Sequence, residues 1–312
     1  MKLNAFQKTA ITTVAATLFL ILVGGLVRAT GAGLGCPDWP KCFGMWIPPT
    51  SLADLPAGFD ESQFNVWKTW IEYVNRLVGV VIGLLITATF LLSIRYRKEK
   101  PTVFYSSIAA FVLVLFQGWL GGVVVRTGLH EGLITAHMLV AMVIVTVLLY
   151  ATFEATSDLF KIRIEEGFRK KLLWTVWVLF GLTMIQLVLG TQVREAIDVI
   201  KNAPVVSPRG TWLENMEGVF PIHRSFSWLL VAAAGWLFYL MKKYNAEGWV
   251  KKLGDLNVVL VFLQVLIGIG LNYLAMPRVL QVLHLVGVAV MVCTQFLMIL
   301  VLRRGEVVIS DQ

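Results

Sequence analysis

Three of the chain's four histidines lie inside long apolar runs, where an ionisable ring is costly unless something holds it. His223, followed by Arg224, stands in PIHRSFSWLL at the start of an apolar run, and His284 stands in LQVLHLVGVAVMV, 61 residues on. The layout occurs twice. Asn75 and Arg76 stand in EYVNRLVGVVIGLL, and His137 follows in LITAHMLVAMVIV, 62 residues later. Imidazoles presented by facing helices of a bundle are suited to axial ligation of a haem iron. A lone histidine in such a run reads better as a buried ring hydrogen-bonded to a carbonyl. Three at matched depth in a duplicated frame favour ligation. Zinc fits poorly, because neither half offers the further His, Cys or carboxylate of a tetrahedral set.

The two halves differ in their candidate ligands. The second has His223 and His284, with Phe220 one turn before the first. The first has His137, Asn75 in place of the other histidine, and Glu72 three residues before Asn75 on the same helix face. A haem held by two histidines is coordinatively closed. One held by a single histidine exchanges more easily, and a carboxylate beside it can move a proton or stabilise developing positive charge. The asymmetry therefore suggests one permanent cofactor and one replaceable substrate. An ion pair of Glu72 with Arg76 or Lys68 is the competing expectation. Arg28, Arg76, Arg126, Arg194 and Arg224 cluster at one end of the runs. Arginine binds carboxylates bidentately, so Arg76 and Arg224, then Arg28 and Arg194, are candidates for the haem propionates; headgroup snorkelling is the alternative. His130, without a counterpart in the other half, reads as a rim histidine.

These residues need a membrane frame to position them. The 312 residues are 57% apolar and 15% charged, with mean hydropathy +0.76, which indicates a polytopic membrane protein. No basic stripe with interleaved aromatics accompanies the net charge of +8, so nucleic acid is not an expected partner. Eight apolar spans are expected, near 10–28, 70–94, 103–125, 133–153, 172–192, 222–241, 255–275 and 280–302. The first follows Lys2 and Lys8 with no small-residue cleavage site after it, and reads as an uncleaved helix. The short loops and termini of one side carry 17 of the 27 basic residues, which makes that side, with both termini, cytoplasmic. Gln117 precedes His137 by 20 residues, and Gln264 precedes His284 by the same distance. The expected architecture is all-α: two tandem four-helix bundles, residues 1–160 and 161–312, related by a pseudo-twofold along the membrane normal. Long external segments at 29–69 and 193–221 are candidate lids. Cys36 and Cys42 flank PDWPK in the first of these and are expected to form a disulfide, structural or redox-active. Cys293, inside the last span, reads as packing.

Taken together, GGLVRATGAGLGCPDWPKCFG, EYVNRLVG, GTQVRE, IHRSFSW and VLHLVGVAVM closely resemble the haem A synthase family over nearly the whole chain. The resemblance implies an eight-helix oxidoreductase of the plasma membrane that converts the C8 methyl of haem O to a formyl group, giving haem A for terminal oxidases. It implies a haem b on His223 and His284 in the second half, a haem O site in the first, and Glu72 at the family's critical carboxylate. Cys36 and Cys42 match its cysteine pair. Asn75 departs from the family, many of whose members have histidine there, as does the missing second cysteine pair. Expected partners are haem O, a haem O synthase, an electron acceptor and membrane lipid, and a homo-oligomer is left open. The rival functions are a di-haem electron carrier of the cytochrome b type and a haem transporter or chaperone.

Overall fold

The computed structural model describes residues 3–201, 208–213, 216 and 218–308. Among the described residues are eight α-helices: α1 (Ala5–Thr30), α2 (Val66–Ser93), α3 (Pro101–Arg126), α4 (Glu131–Thr156), α5 (Glu166–Lys201), α6 (Val219–Lys243), α7 (Gly248–Tyr273) and α8 (Arg278–Arg304). All eight are long and apolar enough to cross a membrane, so the protein is an all-α, multi-pass membrane protein. Two three-residue strands accompany them. β1 (Arg163–Glu165) pairs in parallel with β2 (Glu306–Val308), Arg163 opposite Glu306.

Local chemistry sets the helix ends. Asn4 caps α1, its side chain accepting from the Gln7 backbone N–H while Gln7 reaches back to Asn4. Gly31 ends α1 in the left-handed region at φ 71°. The Asn65 side chain caps α2, and Pro101 opens α3. The C-terminal end of α5 departs furthest from its expected span. α5 runs nine residues beyond the apolar stretch, through the polar VREAIDVIK. Its tip is held because Val193 and Ile197 are buried against Leu213, Met216 and Met276.

The chain forms two compact units, residues 1–151 and 152–312. In unit 1, Ile82 and Ile86 of α2, Ala110 of α3, and Ile144 and Leu148 of α4 form a buried cluster that also receives Val14 of α1. In unit 2, α5 lies against α6 and α8, and α7 also lies against both, which closes a four-helix ring. Polar pairs tie helices inside each unit. Thr13 and Thr89 hydroxyls lie 2.9 Å apart in unit 1, and Gln295 donates to Thr183 at 3.0 Å in unit 2.

Candidate functional site

His223 and His284 lie in the first two turns of α6 and α8, at the end of unit 2 that carries its long loop. The closed ring of helices turns their imidazoles toward one another, with ring centroids 6.4 Å apart and planes crossing at 77°. Two metal–nitrogen bonds of about 2 Å, with a ring on each side, would place the centroids roughly 6 to 6.5 Å apart. The pair therefore fits one iron between its rings. Both Nδ1 atoms are buried with no hydrogen-bond partner, so neither ring is committed to the carbonyl bond of an ordinary buried histidine. No group of three or more His, Cys, Asp or Glu suited to a metal occurs among the described residues, so the donor set suits a ligand that brings its own equatorial nitrogens.

Unit 1 places its candidates at the corresponding end, with His137 early in α4 and Asn75 nine residues into α2. Asn75 Oδ1 and His137 Nδ1 are also buried without partners. Glu72, one turn before Asn75, is 3% exposed and lies under the loop of residues 32–64. Its Oε2 accepts from the Cys36 backbone N–H at 2.9 Å, and its Oε1 pairs with Arg76 Nη2 at 2.5 Å. The competing expectation of a Glu72–Arg76 ion pair is therefore what the structure contains.

Arg76 also holds the loop. Its Nη1 donates to the Asp38 and Lys41 carbonyls at 2.9 and 2.8 Å, and Nη2 reaches the Cys36 carbonyl at 3.4 Å. Four guanidinium donors thus go to Glu72 and to loop backbone. Arg224, the residue after His223, is instead exposed and lies over the Phe220 ring. Arg194 bonds Asp198 and donates to Gln281 Oε1 at 2.6 Å, while Arg28 reaches Met138 Sδ at 3.8 Å. His130 is exposed just before α4, where its carbonyl accepts from Leu133 and Ile134.

The first long loop is a built cap. Cys36 and Cys42 form the expected disulfide, both fully buried with Phe43 against Phe59, Phe64 and Tyr73. Asp38 accepts from the Phe43 and Gly44 backbone N–H groups. Gly35 lies directly on α2, where an added Cβ would come within 2.3 Å of the Lys68 carbonyl oxygen. Trp39 lies on Gly122 of α3, an added Cβ there meeting the indole at 2.8 Å. Residues 202–207, 214, 215 and 217 of the other candidate lid lie outside the described residues.

Several contributors escape a reading by residue type alone. Asp38 and Trp39 organise the cap, yet in sequence only the cysteines that flank them draw notice. Gln186 donates to the His223 carbonyl at 2.9 Å, as Gln117 does to that of His137. A Gln-x₃-Gly signal, shared by Gln117, Gln186 and Gln264, could have found it.

A family model described as cytochrome oxidase assembly protein, COX15-CtaA, matches residues 7–296. Among curated relatives, the Heme A synthase of Shewanella oneidensis is 26% identical over 310 residues, covering 90% of this chain and 92% of the relative. That of Caulobacter vibrioides is 26% identical over 317 residues, covering 89% and 90%. That of Flavobacterium johnsoniae is 25% identical over 305 residues, covering 86% and 89%. The match spans all eight helices and both sets of candidate ligands: this chain belongs to the COX15-CtaA family of cytochrome oxidase assembly proteins.

Proposed function

We propose that this protein is a haem A synthase, an oxidoreductase that converts the C8 methyl of haem O to a formyl group. The observation that carries the proposal is the 6.4 Å separation of the His223 and His284 ring centroids, which suits a bis-imidazole haem b. Full-length similarity to curated Heme A synthases supports the same activity. A haem b at that site supplies one-electron transfer. His223 and His284 would hold it, with Arg224 and Arg194 as the candidate partners of its propionates.

Haem O is the substrate of unit 1, its iron on His137, with Arg28 at its propionate edge. Asn75 offers a weak oxygen where unit 2 has an imidazole, which keeps the substrate replaceable. Arg76 serves by holding the cap and aligning Glu72. The reaction takes the methyl carbon through two two-electron oxidations, each adding a water oxygen and releasing two protons. The resulting hydrated aldehyde loses water to give the formyl. A membrane electron acceptor receives the four electrons. Glu72 assists proton removal at the methyl, its orientation fixed by the Cys36 N–H and Arg76. The site lies toward the external face of the plasma membrane, with both termini cytoplasmic.

The test is co-expression with a haem O-forming enzyme, followed by haem extraction and mass measurement. Haem A should appear only when this chain is present. Haem O accumulating unchanged would overturn the proposal in favour of a haem carrier.

A further inference from the structure

A glutamine followed four residues later by a glycine recurs on three helices, as Gln117/Gly121 on α3, Gln186/Gly190 on α5 and Gln264/Gly268 on α7. Residues four apart share a helix face. In each case that face meets the histidine-bearing helix that follows. A Cβ added to Gly121 would lie 3.3 Å from Cε1 and 3.9 Å from Nδ1 of His137. A Cβ added to Gly190 would lie at the same two distances from the same atoms of His223. A Cβ on Gly268 would lie 3.9 Å from His284 Cε1. The glutamines act one turn away. Gln117 Nε2 donates to the backbone carbonyl of His137, and Gln186 Nε2 to that of His223, both at 2.9 Å. Gln264 lies over Gly287, one turn past His284, where an added Cβ would come within 1.8 Å of its Nε2.

The remaining hairpin is the natural control. Gly24 of α1 faces Asn75 of α2, an added Cβ lying 3.9 Å from Oδ1, but the residue four positions before Gly24 is Leu20. The glutamine is missing where the imidazole is missing. A glutamine needed only for pairing helices would have no reason to follow the histidine.

We infer that these Gln-x₃-Gly pairs are positioning residues, which aim the three imidazoles at the porphyrins. A metal-bound imidazole is ordinarily oriented by a hydrogen bond from its second ring nitrogen. Here Nδ1 of His137, His223 and His284 is buried with no such partner. A slot replaces that bond. At His137 and His223 the glutamine fixes the height of the histidine at its own backbone, and the glycine lets the Cε1–Nδ1 edge lie against the neighbouring helix; at His284 the glutamine packs one turn further on, over Gly287. Nε2 then points away from that helix.

This inference rests on the proposed haem b site, and the test separates the two. Wild type, His223→Ala, Gly190→Ala, Gly181→Ala and Gln186→Leu are purified with haem. High-spin fraction is read by absorption and electron paramagnetic resonance, and haem loss by transfer to excess apomyoglobin. Gly181 lies on the same helix with nothing within 4 Å of an added Cβ, so Gly181→Ala should match wild type. Gly190→Ala should raise the high-spin fraction and speed haem loss about tenfold, the lower range for a supporting residue of a metal site. Gln186→Leu, which copies the Leu20 arrangement, should shift both in the same direction, and it decides the matter alone if Gly190→Ala does not accumulate. Wild-type behaviour of Gln186→Leu, or of an accumulating Gly190→Ala, would overturn the positioning role while leaving the haem site intact. A wild type without haem, or a low-spin spectrum surviving in His223→Ala, would overturn the site itself and this inference with it.

Discussion

In unit 2 two imidazoles lie with their centroids 6.4 Å apart, and the arginine beside the first of them is exposed. In unit 1 the corresponding helix carries Asn75, and the arginine beside it is bound to a disulfide-closed cap and to Glu72. Both units hold a histidine helix against a Gln-x₃-Gly helix in the same way. The difference lies in what completes each site. Unit 2 offers a second imidazole, which would suit a permanent ligand. Unit 1 offers an amide oxygen, a buried carboxylate and a cap, which would suit exchange and chemistry.

The largest expected effect breaks the permanent site. His284→Ala should remove the low-spin haem b spectrum from purified protein, because one axial ligand of a bis-imidazole site is lost. A spectrum unchanged from wild type would end the assignment of unit 2 as the haem b site. Next, Glu72→Gln keeps an oxygen for the Cys36 N–H but loses the charge. Haem A formation should fall about 10²- to 10⁴-fold, the range for a proton-transferring group, with the haem b spectrum retained. Turnover at the wild-type rate would take Glu72 out of the chemistry.

Asn75→His makes unit 1 resemble unit 2. A second low-spin haem signal should appear and haem A output should drop about tenfold, as the substrate acquires a strong second ligand. Undiminished output with no new signal would mean that Asn75 does not face the iron. The smallest effect concerns the cap. Cys42→Ser should cost about 2 kcal/mol of loop stability, the scale for a short disulfide loop. It should be read as faster proteolytic nicking within residues 32–64, with haem b unaffected. Equal nicking rates would show that Arg76 and Asp38 hold the cap without the disulfide.

The eight spans were legible because a bilayer demands about 20 consecutive apolar residues, and few other structures do. The extension of α5 through VREAIDVIK was not, since its stabilising contacts come from Leu213, Met216 and Met276, distant in sequence. The disulfide was legible from two cysteines in a loop predicted to be external. That Arg76 would bind loop carbonyls was not, because a guanidinium beside a ligand position looks the same whichever carboxylate or carbonyl it meets. The repeated histidines pointed to two candidate sites. Their supporting glycines and glutamines did not stand out, because Gly and Gln are unremarkable until the facing residue is known.

The order of residues alone thus determined the membrane frame and singled out the candidate ligands, since hydropathy and spacing are properties of one dimension. Tertiary structure alone decided that His223 and His284 meet at a distance suited to one iron, and that Glu72 is fastened beneath the cap by Arg76 and Cys36. Separation and orientation depend on how helices pack side by side, and that is set by contacts between residues far apart in the chain.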